Sequence, residues 1–393
     1  MSGTVSLSVS PYLVKAIMQI EQVSDKKGLD QFILFPWKVF KGNPNWVPPL
    51  ISELKFVLGD KNPFFRHAEA AYFLARKDGD IVGRIAAIVD RNHINVHKEQ
   101  AGFFGYFECL SDVAIARGLL NAAASWLRER DIEIMRGPMN PSTNDECGFL
   151  LEGFDSPPMI MMTYTPQYYL DYMESCGLTK SKDLYAFISI IKDVSAGGRL
   201  EKLASGVRTR VPGLTVRPAN MRQFGRELET VKDIYNSAWS DNWGFVPMTD
   251  EEIESMAKRL KPLIVPELLV IAEVNGSPAA FLMAVPDYNQ VLSKINGRLG
   301  PVGIMKFLWH SRRISDIRIM TVGVKEEYRK KGIEGLLYLE SFKAALRKGY
   351  KRAEMSWVLE DNVLARRGCE LMGGKLYKKY RIYEKTLQGD ETR

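Results

Sequence analysis

The sequence predicts an α/β protein built from two related halves, each a mixed, mostly antiparallel twisted sheet flanked by helices. Three observations predict it. A hairpin pattern recurs at equal length, an amphipathic helix pattern follows each copy, and the chain, at 393 residues, is longer than one hydrophobic core ordinarily spans.

Residues 74–90, LARKDGDIVGRIAAIVD, and 271–287, IAEVNGSPAAFLMAVPD, each read as strand, tight turn, strand and terminal Asp. Asp78-Gly79 aligns with Asn275-Gly276; such dipeptides supply the positive φ angles that two-residue hairpin turns need. A further apolar strand follows each hairpin, near 102–110 and 317–324. A helix comes next, because Ala116, Leu119, Leu120, Ala123 and Leu127 recur at spacings of three and four, as do Tyr338, Leu339, Phe342 and Leu346. Strands near 132–137 and 352–358 follow, and a helix and a last strand close each half. The halves read as 1–190 and 213–393. Between them, residues 191–212, with Lys192, Arg199, Lys202, Arg208 and Arg210 and the run Ser195-Ala196-Gly197-Gly198, read as a linker with room for a helix in its middle.

Hydrophobic residues at 46% and charged residues at 26% place the chain among ordinary globular proteins and exclude disordered and collagen-like classes. No apolar run approaches the roughly 20 residues that cross a bilayer. The apolar stretch from Tyr12 to Ile20 is broken by Lys15 and lacks a charged leader, so a cytoplasmic location is expected. Cys109, Cys147, Cys176 and Cys369 fit neither a disulfide framework nor a zinc pattern and are expected as free thiols. His67, His93, His97 and His310 share no ligand spacing, and no HExxH, GxSxG or GxxxxGK[ST] run occurs, so no metal is expected. A net charge of +7 expects a polyanion somewhere on the surface. In the 288–316 insertion, Ile304, Phe307, Leu308 and Trp309 lie in a basic stretch. It suits a membrane surface, a cover over an apolar pocket, or a helix packed on its own domain.

The stretch most informative about chemistry is 318–348. An apolar strand ends at Val324, a turn holds Arg329, Lys330, Lys331, Gly332, Ile333, Glu334 and Gly335, and a helix begins there. Unpaired N–H groups at a helix start, glycines that admit a ligand to the main chain, the helix dipole and three cations together make an anion site. Residues 325–352 hold nine Lys or Arg against four Glu. A solvated helix face would show the same excess; the order strand, basic turn, glycines and amphipathic helix is what points to a site.

This order resembles the GNAT superfamily of acyl-CoA N-acyltransferases, whose signature sets Arg or Gln, two residues, Gly, one residue, and Gly or Ala on the turn between strand and helix. Arg329 and Gly332 fit; the sixth place holds Glu334, and the glycine comes one later, at Gly335. A carboxylate facing phosphates weakens their binding, so Glu334 is expected to point away or affinity to be reduced. The likeness continues through Trp357-Val358-Leu359-Glu360-Asp361-Asn362 and Leu371-Met372-Gly373-Gly374. It implies acetyl-CoA or a longer acyl-CoA as co-substrate, held by Val322, Gly323, Val324, Arg329, Lys330, Lys331, Gly332, Ile333, Gly335 and Asn362.

The resemblance also implies direct attack of an amine on the thioester, with a main-chain N–H near Val324 holding the developing oxyanion. Family members often place a tyrosine, as acid for the departing thiolate, shortly before a Gly-Phe pair. Aligning Gly373-Gly374 with that pair puts Cys369 there, either as the acid, with a reference pKa of about 8.5, or as a small core residue. Glu360, Asp287 or an ordered water are the candidate bases. Trp239, Asn242, Trp243 and Phe245 fall where the family binds its acceptor, though two tryptophans also pack well without one.

The first copy lacks the loop: between Phe107 and its helix stand Glu108-Cys109-Leu110-Ser111-Asp112-Val113, with no glycine pair. Asp112 suits a helix cap, where it competes with a bound anion. This half reads as a degenerate copy used for structure or substrate shaping. Its polar segment from Arg136 to Asn144, with Gly148 and Gly153-Phe154, either lines a cleft or merely connects. From Phe35-Pro36-Trp37 and Asn45-Trp46-Val47-Pro48-Pro49 to Tyr380-Arg381-Ile382-Tyr383-Glu384-Lys385, nearly the whole layout resembles a bacterial tandem-GNAT group related to bacterial ceramide synthases. That implies a long-chain acyl-CoA donor and a long-chain or lipid amine such as a sphingoid base. Two other readings compete: an acyl-CoA or lipid-binding GNAT-like protein with impaired catalysis, and a nucleic-acid binder, which no RNP, helix-turn-helix or zinc-finger pattern supports.

Overall fold

Positive φ angles at Asp78 and Gly79 (52° and 86°) and at Asn275 and Gly276 (50° and 81°) close two matching hairpins, as the dipeptides require. The structure, a computed structural model, describes residues 18–196, 199–239 and 242–387; residues 12–17 of the early apolar stretch, Gly197, Gly198, Ser240 and Asp241 lie outside the described residues. In chain order the first half contributes β1 (Met18–Gln22), β2 (Ala68–Lys77), β3 (Asp80–Asp90), β4 (Ala101–Cys109), β5 (Ile134–Gly137), β6 (Met139–Asn140), β7 (Glu146–Cys147), β8 (Phe149–Glu152) and β9 (Thr179–Ile190). The second contributes β10 (Leu214–Pro218), β11 (Leu269–Val274), β12 (Ser277–Pro286), β13 (Asp316–Val324), β14 (Arg352–Leu359) and β15 (Lys375–Thr386).

One sheet runs β1-β2-β3-β4-β5-β15-β9-β14-β13-β12-β11-β10, with β8 alongside β15 and β6–β7 as a separate ribbon. Read from its two ends, the order repeats strand for strand. Neighbours are antiparallel except β4–β5 and β13–β14, one parallel pair in each half. The last strands are exchanged: β15 pairs with β5, β9 pairs with β14, and the two pair with each other. Thr179–Ile190, which ends the first half in the sequence, thus lies in the second half's part of the sheet, and main-chain hydrogen bonds join the halves.

Helix Val113–Arg128 covers the first half, burying Ile115, Leu119, Leu120 and Leu127 against β2 to β4. Asp112 caps it, accepting from Ala114 N at 2.9 Å. Helix Ile333–Arg347 does the same in the second half with Leu336, Leu337, Leu339 and Phe342; each such side chain contributes roughly 2 kcal/mol on burial. The segment at 191–212 carries helices Ile191–Ala196 and Arg199–Arg210, and Ala204 and Val207 of the second helix join the core beneath Ile333–Arg347. A third core lies where the halves meet, around Phe32, Leu184, Tyr380 and Ile382.

Candidate active site

In each half the two parallel strands pair only over their first residues. The β4–β5 ladder runs from Ala101↔Ile134 to Phe103↔Arg136, and the β13–β14 ladder from Asp316↔Arg352 to Ile319↔Met355. Beyond that the strands part, and a bulge marks each parting. The β3–β4 register shifts beyond Arg84↔Glu108, taking in Tyr106 at φ 47°. The β12–β13 register shifts between Met283↔Thr321 and Ala284↔Ile319, which skips Met320. Bulges bend a strand and re-aim its side chains, so both halves open a wedge at the same topological place.

The first half fills its wedge with its own chain. Asn140 Oδ1 accepts from Tyr106 N at 2.6 Å, and Tyr169 OH accepts from Cys109 N at 2.8 Å. A β-carbon on Gly105 would collide with the Met139 carbonyl. The main-chain N–H groups of Tyr106 and Cys109 are thus taken. In the second half β14 swings over to β9, pairing Val358↔Tyr185 and Leu359↔Leu184, and a cavity of about 240 Å³ is left. Met320, Thr321 and Trp357 of the splayed strands wall it on one side, Tyr235, Trp239 and Phe245 on another, and Thr143, Asn144 and Asp145 of the first half close it. Thr321 Oγ1 and Trp357 Nε1 are buried without a hydrogen-bond partner among the described residues, so both are unsatisfied donors beside a largely apolar cavity.

Where β13 leads on, helix Ile333–Arg347 starts after Gly332, whose φ of 83° suits glycine, and no side chain among the described residues caps it. Its first amides therefore point outward. A β-carbon on Gly335 would meet nothing within 4 Å among the described residues. Lys330 and Lys331 are exposed, the Lys331 ammonium resting 5.1 Å from the Tyr328 ring. Arg329 turns the other way: its guanidinium donates to the Ser237 and Ala238 carbonyls at 3.4 and 3.2 Å, pinning the turn to the helix end that carries Trp239. Arg210, from the segment expected to be a linker, reaches to 3.7 Å of a β-carbon built on Gly332. Glu334 lies in the first turn of the helix, one helical turn before Tyr338. Val322, Gly323 and Val324 pair with β12 on one side only, so their other edge faces the wedge.

Trp239, Asn242, Trp243 and Phe245 all line the cavity. The three residues expected to exchange protons do not. Asp287 accepts from Ile160 N at 2.9 Å and Asn289 N at 3.3 Å, and burial, with Glu354 and Asp316 near, raises its pKa to about 7. It opens instead on a separate cavity of about 730 Å³ beside Trp37, Trp46 and Pro158. Glu360 accepts from Lys180 Nζ at 2.5 Å and Asp183 N at 3.1 Å in a surface ion-pair cluster. Cys369 is 1% exposed in the core, and burial pushes its thiol up to about 12. Asn362 caps helix Val363–Leu371, accepting from Ala365 N at 3.0 Å, which leaves its NH₂ as the group able to meet a ligand.

Sequence reasoning missed two features. The first is the carboxyl pair at the first half's wall. Burial raises Asp145, which accepts from Ser142 OH at 2.8 Å, to about 6, and burial together with Asp145 raises Glu146 to about 7. The only signal was their place directly after the polar segment that ends at Asn144. The second is a buried ionic brace between the splayed strands. Arg318 of β13, 4% exposed, donates to Ile160 O, Met161 O and Ser356 Oγ at 2.8, 3.1 and 2.9 Å and lies 3.6 Å from Glu354 of β14. Glu354, fully buried, also accepts from Ser356 and Tyr377 hydroxyls.

Comparison with known proteins agrees with this fold. Residues 228–373 match the family described as Acetyltransferase (GNAT) family. YghO of Escherichia coli K12 is 35% identical over 369 residues, covering 92% of this chain and 94% of its own. The bacterial ceramide synthase of Caulobacter vibrioides NA1000 is 36% identical over 381 residues, covering 95% and 98%. Among solved structures, a tandem GNAT protein from the clavulanic acid biosynthesis pathway is 11% identical and superposes with a TM-score of 0.56 over 95% of this chain and all of its own. At that identity the likeness concerns the fold alone, and the fold is the tandem one. The chain belongs to the GNAT acyltransferase superfamily, in a tandem-domain bacterial group that resembles bacterial ceramide synthase.

Proposed function

We propose that this protein is an acyl-CoA-dependent N-acyltransferase that moves a long acyl group from the CoA thioester to the primary amine of a lipid-like acceptor. The observation that carries the reading is the continuity between the second half's open wedge and an apolar cavity. That cavity includes Met248, Met256, Met283 and Met320 and is closed by the first half. Methionine side chains adapt to flexible apolar ligands. The relative named as a ceramide synthase supports a lipid amine, since a ceramide is an N-acylated long-chain amino alcohol.

In this reading the outward amides of Ile333 and Glu334, with Lys330 and Lys331 beside them, hold the diphosphate. The pantetheine arm lies along the free edge of residues 322–324 like an added strand, and the Asn362 NH₂ meets it further on. The thioester then sits beside Thr321. Asp145, a carboxylate above about pH 6, takes one proton from the acceptor ammonium. The freed nitrogen lone pair attacks the carbonyl carbon, with the Thr321 hydroxyl and a main-chain N–H near Val324 donating to the oxygen as charge develops. As the C–N bond forms and the C–S bond breaks, the sulfur keeps the bonding pair. A second nitrogen proton passes to it, so CoA leaves as the thiol. Cys369 has no part, because a thiol with a pKa of about 12 is too weak an acid for a thiolate of ordinary basicity.

Incubation with palmitoyl-CoA and a panel of amines tests the reading. Thiol release is expected with sphinganine, with one amide formed per thiol, and much less with short amines such as ethanolamine. Binding of palmitoyl-CoA with no thiol released by any amine would leave a binding protein instead.

A further inference from the structure

One helix carries its apolar side outward. In Pro301–Ser311, Gly303 is buried and Phe307 stacks on Tyr288 at 5.6 Å, so these face the protein. Val302, Met305, Leu308 and Trp309 are 67, 71, 62 and 61% exposed. Positions 302, 305 and 309 follow helical spacing and form one stripe. A contiguous apolar stripe of this kind on a soluble protein marks a contact surface.

The surrounding charge says what the stripe meets. From Tyr288 to Ser315 there is no Asp or Glu, while Lys294, Arg298, Lys306, Arg312 and Arg313 all fall there. The Arg313 guanidinium lies 5.0 Å from the Trp309 ring, beside the stripe. A second copy would bring the same cations against these. An anionic lipid surface complements both features, since apolar side chains enter the headgroup layer while flanking cations meet phosphates. The insertion is also fastened down: Trp37 Nε1 donates to Asn296 Oδ1 at 2.8 Å, and Ile51 N donates to Gly297 O at 3.0 Å.

We propose that Pro301–Ser311 is a docking helix that seats the protein on an anionic phospholipid surface. This stands whether or not the chemistry proposed above is correct, because its test reads binding alone. The full chain is sedimented with vesicles of phosphatidylcholine mixed with phosphatidylglycerol, and with phosphatidylcholine vesicles. Binding is expected to the mixed vesicles and to weaken with salt. Met305→Glu with Trp309→Glu should lower it at least about tenfold. Arg312→Glu with Arg313→Glu should lower it on mixed vesicles, by about fivefold per cation. Val302→Gln with Leu308→Gln serves as a milder second pair, and circular dichroism checks that each variant is folded. Wild type left in solution with mixed vesicles would overturn the proposal. So would binding unchanged by both apolar pairs, or light scattering showing a dimer that Met305→Glu with Trp309→Glu converts to monomer.

Discussion

Trp239 lies so close over Gly323 that a β-carbon on the glycine would meet the indole at 2.5 Å. The tryptophan ends the helix that Arg329 pins, packs tilted against Tyr235 with centroids 4.6 Å apart, and walls the cavity. Gly323 sits on the strand edge facing the wedge. Absence of one side chain thus sets the indole's position, and the indole shapes the cavity. Gly323→Ala should destabilise the fold by about 1–3 kcal/mol through overpacking. It should also abolish stabilisation by palmitoyl-CoA while leaving that by free CoA largely in place. Thermal melts with each ligand check both.

Asp145 gives a pH signature. Its folded-state pKa is raised from 3.8 to about 6, chiefly by burial, so ionising it costs folding stability as pH rises across that window. Asp145→Asn removes this cost. The variant should match wild type at pH 3.5 and exceed it increasingly until about pH 7, read by urea denaturation at each pH. Its kcat/KM should fall by about a hundredfold or more, and the rising limb centred near pH 6 should vanish.

Cys369→Ala separates packing from chemistry. The thiol is a buried part of the second half's core, so its loss should cost about 1 kcal/mol by leaving a small cavity. Turnover should stay near the wild-type value in a thiol-release assay.

The Arg318–Glu354 brace ties the strands where they part. Arg318→Met leaves Glu354 buried without its ion-pair partner, at a cost of about 3–5 kcal/mol. Replacing both, as Arg318→Met with Glu354→Leu, should recover much of that loss by the same reasoning. Denaturant midpoints of wild type, both single variants and the double variant measure the coupling.

What the sequence disclosed was local. The hairpins were legible because Asp78-Gly79 and Asn275-Gly276 impose their own backbone angles, and helix Ile333–Arg347 because its apolar spacing and Gly332 mark a face and a start. The exchange of β9 and β15 was not legible, since either strand pattern would pair equally well with its own half; partner choice depends on contacts far apart in sequence. The same distance hid the site's far wall. Residues 143–145 meet Trp239 and Phe245 only after both halves are placed, as in the Tyr235 OH bond to Asn144 Oδ1 at 3.0 Å. Glu360, Cys369 and Asp287 drew attention by type and by nearness to the motif, and packing sends each elsewhere. Arg318 sits between Ile317 and Ile319, and nothing in those neighbours tells a buried ion pair from an exposed one.

The first half's wedge is filled by Asn140 and Tyr169 and the second half's is open, so one half alone is expected to grip acyl-CoA. Calorimetric titration with a non-hydrolysable thioether analogue of palmitoyl-CoA tests it most directly. One site per chain is expected, weakened at least about tenfold by Lys330→Glu with Lys331→Glu through loss of charge at the diphosphate. Two sites per chain, or an affinity unmoved by that pair of changes, would contradict it.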